Sequence, residues 1–378
     1  MGVRVAIVTE SFLPSVNGVT HSVMRVLEHL RDRGDDAVVV APSSNGQVPR
    51  TYAGFPVVAA PSANLPGYPD LPFGFPTSLR LEEVFEDFRP DVVHVAAPIS
   101  MGHKAIMVAN RMDLPSVAIY QTEYASFASR YWMHRAQPVI WWRVRASHSL
   151  ATMTLAPSSY TRQELVNRGI PRVGLWGRGV DTTRFQPAKR DETWRRTVAP
   201  GGERIIGYVG RLAAEKQVED LAVLADLPNT RLVVVGHGPT REELEQRLPT
   251  AHFTGQLTGE DLPRVLASMD VFVHPGELET FCQSIQEALA SGVPAVAPAR
   301  GGPIDLIDPS HTGWLYPPGD LATLRSQVQD LVGDDRKRHA FSRAARAAVR
   351  GRTWDEVCAR LVEHYQAAIR AHRVQRVG

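Results

Sequence analysis

Two successive series of short apolar runs, each run followed by a helical pattern, restrict what this chain can fold into more than any other feature. Val3–Val8, Ala37–Ala41, Val92–Val95, Ser116–Tyr120 and Thr152–Ala156 form the first series. Arg204–Val209, Arg231–Val235, Val271–His274 and Ala295–Ala297 form the second. Strands that read as continuous Val/Ile/Leu rather than alternating are buried on both faces. Helical patterns between them, such as Val19–Arg31, supply the covering layers, so the expected fold class is α/β with two parallel, Rossmann-like sheets. A length of 378 residues is enough for two separate cores. The polar, proline-broken stretch Phe185–Asp191 marks the linker between the series, and Trp354–Ala371 reads as a long closing helix. Ser62–Pro76, rich in proline, glycine and aromatics, reads as a long loop of the kind that often carries function.

Composition narrows the class. A formal net charge of +2 gives no case for nucleic-acid binding. Two isolated cysteines, Cys282 and Cys358, exclude a secreted disulfide scaffold, fit a reducing cytosol and have no metal-site spacing. Arg4 precedes only a very short apolar run, so no signal peptide is expected. No stretch approaches the roughly 18 apolar residues of a membrane span, and a myristoylation motif is missing at Met1-Gly2. Lysine occurs only at positions 104, 189, 216 and 337, which singles out each one.

Ligands of doubly wound sheets bind beyond the carboxyl ends of the strands, and the candidate motifs fall just after strands. Pro14-Ser15, then Asn17-Gly18-Val19, follows the first run and leads into a helix. Glycine admits a phosphate close to the backbone and a helix N-terminus favours an anion, although a plain Asn-Gly turn reads the same way. The dinucleotide fingerprint G-x-G-x-x-G does not follow this run, which opposes a nicotinamide oxidoreductase. Gly210–Lys216 follows the first run of the second series. Arg211 as a fork and Lys216 as a point charge suit a diphosphate whose charge grows as it leaves; a solvated surface pair is the alternative. The stretch Glu279–Pro294 follows Val271–His274, with a helix beginning near Phe281 and stopping at Gly292. Carboxylates such as Glu279 and Glu287 suit sugar hydroxyls, but their spacing by itself also describes a helix cap and a surface residue.

Taken in order over nearly the whole chain, these motifs resemble the retaining GT-B glycosyltransferases of family four. The E-x7-E stretch, Gly210–Lys216, Gly179-Val180-Asp181 with Arg184-Phe185 and Pro187, and Gly301-Gly302-Pro303 carry the resemblance. Thr9–Pro14, Asn17–Val19 and Tyr120–Glu123 look like the GDP-mannose-dependent α-mannosyltransferases of actinobacterial glycolipid and lipoglycan synthesis. The resemblance implies a cleft between the two domains and a C-terminal helix that returns to the first. The implied domains are residues 1–186 with 354–378, on the acceptor side, and 187–353, on the nucleotide-sugar side. It implies that Gly18, Arg211 and Lys216 face the donor diphosphate. Glu279 would contact the hexose, aided by the N–H groups of Phe281, Cys282 and Gln283. Glu287 would hold the ribose, and Thr254–Leu257 would lie against the base. Many relatives carry histidine where this chain has Gln121. Glutamine cannot act as an imidazolium acid, so the donor phosphate itself is the expected base, acting on the same face of the sugar. No Asp-x-Asp triplet is present, so no metal cofactor is expected at the catalytic site.

Residues 124–163 contain no acidic side chain but include Arg130, Arg135, Arg143, Arg145 and Arg162 with Tyr131, Trp132, Trp141 and Trp142. Such a segment either lies on an anionic membrane or packs its tryptophans into a core. The resulting expectation is a cytoplasmic enzyme, peripheral on the inner membrane face, that moves mannose from GDP-mannose to a lipid-linked acceptor. A UDP-hexose donor and a catalytically silent sugar-nucleotide- or lipid-binding protein are the alternatives.

Overall fold

The computed structural model describes residues 2–15, 17–43, 47–65, 68–121 and 137–375. They form two compact units, Met1–Gly177 with Asp355–Gly378, and Arg178–Trp354.

The first unit is built on an eight-stranded sheet in the order Val173–Leu175, Met153–Ala156, Ser116–Ile119, Val92–Val95, Arg4–Val8, Asp36–Pro42, Phe55–Ala60, Thr51–Tyr52. All neighbours run parallel except the last pair. Asn17 caps the first helix, Gly18–Arg33, by accepting from the N–H groups of Val19 and Thr20, and Gly34 ends it at φ 74°. The final helix, Trp354–Gln375, returns to this unit. The buried Tyr365 hydroxyl is hydrogen-bonded to His94 Nδ1, and Trp176 Nε1 donates to the Val357 carbonyl at 3.0 Å.

The second unit is a six-stranded parallel sheet in the order His252–Gly255, Thr230–Val235, Arg204–Val209, Val271–Val273, Ala295–Pro298, Gly313–Tyr316. Ile206, Tyr208, Val234, Val271 and Val273 point into one apolar cluster, whereas Ile205, Val233, Val235 and Phe272 point into another. Alternate side chains therefore fill two cores on opposite faces, which is why each strand is apolar throughout.

Two expectations differ from the structure. The first unit ends at Gly177, ahead of the Phe185–Asp191 stretch expected as the linker. Val180 and Phe185 belong to the second unit's core, and Arg346 donates to the carbonyls of Thr182 and Phe185, so these residues travel with the second unit. The Ser62–Pro76 loop is instead largely an antiparallel hairpin of Ser62–Leu65 with Tyr68–Gly74. Proline is compatible with extended backbone at a sheet edge, and two isolated strands are all edge.

Phe272→Ala should destabilise the second unit by about 3–5 kcal/mol, since its ring is fully buried. Val374→Ala, at a position 72% exposed, should stay within about 0.5 kcal/mol. Denaturant melts of both variants check the contrast.

Candidate active site

In the second unit, sheet growth reverses between Arg204–Val209 and Val271–Val273, the arrangement in which a doubly wound sheet opens a crevice beyond its strand ends. The turns that leave these two strands meet there. Lys216 Nζ, on the first turn, pairs with the Glu279 carboxylate on the second. His274, the residue after its strand, brings Nε2 to 3.2 Å from the same Glu279 oxygen. Cys282 closes the group: its thiol, the Glu279 carboxylate and the His274 imidazole offer atoms that lie within 4.8 Å of one another.

The electrostatics follow from crowding these groups out of water. Burial pushes the Glu279 carboxyl up, but Lys216 and His274 outweigh it and hold the group well below the usual carboxylate range. Burial opposes the charge on His274, yet Cys282 and Glu279 keep its imidazole protonated above the ordinary histidine range. Lys216 is likewise disfavoured by burial and restored by Glu279, with the balance raised. Burial lowers the guanidinium of Arg178, while Glu279 acts in the opposite direction. Three cationic groups, Lys216, His274 and Arg178, therefore gather around Glu279, a setting able to receive an anionic ligand.

The backbone around Glu279 is clamped. Gly302 N–H donates to the Glu279 carbonyl at 2.7 Å. A side chain at Gly301 would put Cβ 2.2 Å from that same carbonyl, at φ +68°, so only glycine fits. Glu277 N–H donates to Gln217 Oε1 at 3.0 Å and ties the two turns together. The helix begins at Gln283, later than Phe281, after Cys282 in the left-handed region at φ 74° with no side-chain cap. Its first N–H groups make no hydrogen bond to the Cys282 side chain and carry the positive end of the helix dipole. Gln283 and Gln286 donate to the carbonyls of Gly179 and Arg178 at 3.0 and 2.8 Å, which fixes the helix to the start of the unit.

Other residues expected in the site lie on the same unit without joining the Glu279 cluster. Arg211 is exposed on the turn after Arg204–Val209, its carbonyl accepting from the Tyr208 hydroxyl at 3.0 Å. Among the described residues its guanidinium makes no ion pair. Thr254 and Leu257 flank the turn at the end of the His252–Gly255 strand, and Leu257 packs partly on the core. Glu287 is half-buried on the helix, and burial pushes its carboxyl up to about 7 against the opposing pull of Arg184 and Gln283.

In the first unit, Gly18 is exposed at the start of its helix. Gln121 is buried just beyond Ser116–Ile119, its Nε2 donating to the Ala96 carbonyl at 3.1 Å. Glu10 receives the N–H groups of Ser100 and Gly102 at 2.7 and 3.0 Å, so its carboxylate fills the N-terminus of helix Met101–Arg111. Thr122 and Glu123 lie outside the described residues.

Sequence reasoning missed His274, Arg178 and the Gly236-His237-Gly238 turn. A G-x-G between a strand and a helix was the available signal for the last. A Cβ at Gly236 would sit 1.9 Å from the Gly210 carbonyl, so this glycine lets two strand-end turns touch.

Residues 16–184 match the family model Glycosyltransferase Family 4, and residues 189–348 match Glycosyl transferases group 1. The chain is 49% identical to the GDP-mannose-dependent alpha-mannosyltransferase of Mycolicibacterium smegmatis over 97% of its own length and 98% of that protein's. The protein of the same name from Corynebacterium glutamicum is 43% identical, over 97% of this chain and 89% of the relative. The chain belongs to glycosyltransferase family 4. Solved structures agree on the fold: HepE of Anabaena in complex with UDP superposes with a TM-score of 0.76 at 18% identity, covering 96% of this chain and 100% of that one. Sucrose-phosphate synthase of Thermosynechococcus elongatus gives 0.78 at 18% identity, covering 98% and 100%. This is a GT-B glycosyltransferase.

Glu287 yields a prediction with a definite sign. A carboxyl raised in the fold contributes stability that is full below the unfolded carboxyl value of about 4.3 and is lost as pH rises through about 7. Glu287→Gln should therefore raise the melting temperature at pH 8 and leave it nearly unchanged at pH 4. A variant that melts lower than the parent at pH 8 would contradict the assigned cost.

Proposed function

We propose that this enzyme transfers mannose from GDP-mannose to a lipid-linked acceptor, with retention of anomeric configuration and without a catalytic metal. The observation that carries the reading is the cluster of Lys216, His274 and Glu279 at the switch point of the second unit's sheet. Full-length identity to relatives named for GDP-mannose supports the choice of donor.

Lys216 and Arg211 neutralise the donor diphosphate, and their fixed charge counts most as the bond to the sugar breaks. The N–H groups at Phe281, Cys282 and Gln283 add the positive end of a helix. Glu279 accepts hydrogen bonds from hexose hydroxyls. Its pairing with two cations makes it a poor nucleophile, which favours attack by the acceptor on the same face, with a donor phosphate oxygen taking the hydroxyl proton. Glu287 holds the ribose, Thr254 and Leu257 flank the base, and Gly18 approaches the diphosphate. Gln121 hydrogen-bonds a sugar hydroxyl and supplies no proton.

The first unit is the acceptor side of this reading, and a lipid acceptor calls for a membrane-facing surface. Among the described residues, no helix is long and apolar enough to cross a membrane. Helix Gln137–Leu150 divides the two readings of the tryptophans. Trp141 stacks on Tyr120 with ring centroids 6.4 Å apart and carries the Arg168 guanidinium 3.7 Å from its own ring centre, so it is a packing residue. Trp142 and Val139, 66% and 65% exposed, face solvent beside the exposed Arg145. Arg130, Tyr131, Trp132 and Arg135 lie outside the described residues. The enzyme is accordingly read as peripheral on an anionic inner membrane face, with Trp142 and the arginines as its contact.

Product analysis with GDP-mannose and a panel of glycolipid acceptors tests the central claim. The expected product is an α-mannosyl lipid, with GDP bound more tightly than UDP in calorimetry. Turnover with UDP-hexoses alone, or donor binding without transfer to any acceptor, would replace the reading with one of its alternatives. Activity should persist in EDTA; loss restored by Mg²⁺ or Mn²⁺ would overturn the metal-free mechanism. Lys216→Ala and Arg211→Ala should each lower turnover by about 10²–10³-fold, and near-normal rates in both would remove them from the site.

Vesicle sedimentation tests the surface. Each arginine near an anionic bilayer contributes about 1 kcal/mol, so binding should weaken with salt and be stronger on acidic than on neutral vesicles. Trp142→Ala should reduce sedimentation with little change in melting. Trp141→Ala should chiefly destabilise the fold. Unchanged sedimentation of Trp142→Ala and of the combined Arg135, Arg143 and Arg145 to Ser variant would sink the assignment.

A further inference from the structure

The mechanism above uses the backbone of Cys282 and leaves its thiol without a task. We propose that His274, Glu279 and Cys282 form a binding site for a borderline divalent transition ion of the Zn²⁺ class, and that occupying it silences the transferase.

The ligand set argues for the class of ion. An imidazole nitrogen, a thiol sulfur and a carboxylate oxygen are the three donor types that Zn²⁺ combines, and three protein ligands leave a fourth position for water or a phosphate oxygen. Hard ions such as Mg²⁺ demand an oxygen shell and would reject two of the three donors. Ligand bonds of about 2.0–2.3 Å in a tetrahedron put donor atoms about 3.5 Å apart. The three atoms already lie within 4.8 Å of one another, so side-chain shifts of about 1 Å complete the shell.

The scaffold under the ligands is stiff. His274 is fixed by its strand, whose neighbours pair on both sides, and its backbone N–H donates to the Val296 carbonyl at 3.0 Å. Glu279 is pinned through its own carbonyl by Gly302, and the Glu277 N–H is held by Gln217. Cys282 is locked in the left-handed region at the start of its helix. His274 and Cys282 are buried at 2% and 4% exposure, while the Glu279 side chain, at 13%, is the ligand through which an ion enters. All three fall within the pattern His-x4-Glu-x2-Cys, which the spacing of the two cysteines alone does not reveal.

M²⁺ takes Cys282 as its thiolate and His274 as the neutral imidazole, any proton displaced from them passing to solvent, and replaces the Glu279 ion pairs with a metal–oxygen bond. Lys216 then loses its carboxylate and stands beside a dication. Glu279 can no longer accept from a hexose hydroxyl. The silencing step rests on the proposed function, whereas the binding site does not.

Co²⁺ is the probe, added to the purified full-length protein without nucleotide. The expected spectrum has tetrahedral d–d bands and a thiolate-to-Co²⁺ charge-transfer band at one ion per chain, displaced by Zn²⁺ and not by Mg²⁺. Cys282→Ser should abolish the charge-transfer band and weaken binding by at least the about 10–100-fold that loss of an outer-shell partner costs. Cys358→Ser, in the other unit and outside the His274–Glu279–Cys282 group, should keep the band. His274→Gln should weaken binding in the same way, and melting curves establish that each variant is folded. Absence of the band in the parent, or a band unchanged in folded Cys282→Ser, overturns the site. In the transfer assay Zn²⁺ should inhibit reversibly, with EDTA restoring the rate; Co²⁺ binding at Cys282 without Zn²⁺ inhibition overturns the silencing step. If no donor supports transfer at all, the proposed function falls while the Co²⁺ spectrum still decides the site.

Discussion

A carboxylate removed from water must be matched by cations, and Glu279 obtains that match from two turns that are far apart in sequence. Lys216 arrives from the end of one strand and His274 from the end of its neighbour. Burial opposes the charge on all three groups; Glu279 restores it on Lys216 and, together with Cys282, on His274, while those two hold Glu279 ionised. The geometry of the crevice is therefore a consequence of charge balance as much as of the sheet. The Gly301 and Gly302 approach and the Gln217 bond hold the backbone where that balance is met.

The parallel sheets could be read from sequence because both faces of each are dry. A strand such as Arg204–Val209 feeds Ile205 to one core and Ile206 to the other, so no polar residue interrupts it. Edge strands such as His252–Gly255 and Gly313–Tyr316 escaped, because half-exposed residues break the apolar run. The hairpin at Ser62–Gly74 escaped for a different reason: proline and glycine signal punctuation, and cross-strand pairing leaves no periodic trace over so few residues. The linker was misplaced because its composition is polar, whereas the boundary is set by where Val180 and Phe185 find a core.

The site was legible in part. Lys216 was conspicuous as one of four lysines, and Glu279 through its setting before a helix. His274 was hidden as the last letter of an apolar strand, where its polar function has no local signature. Cys282 carried no metal spacing relative to Cys358, since the partners that matter are a histidine and a glutamate a few residues upstream. What decided these cases was convergence in space at the switch point, which spacing along one turn cannot express.

The same charge balance bears on the ligand binding proposed for the site. With no anionic ligand, Lys216 is satisfied by Glu279 and the two hold their turns together. In the proposed reaction a diphosphate would compete for Lys216 and a hexose hydroxyl for Glu279, so a bound donor would replace both halves of an existing pair. Each half loses less than a lone buried ion would, because its partner is taken up at the same moment. A ligand that supplies only one of the two, phosphate without sugar, leaves Glu279 dependent on His274 and Arg178 for charge. On that proposal the complete donor would replace both partners of the ion pair, whereas a fragment would replace only one. The Glu287 carboxyl, raised by burial, adds a similar demand further along the helix, where a hydroxyl donor would relieve the cost of ionisation.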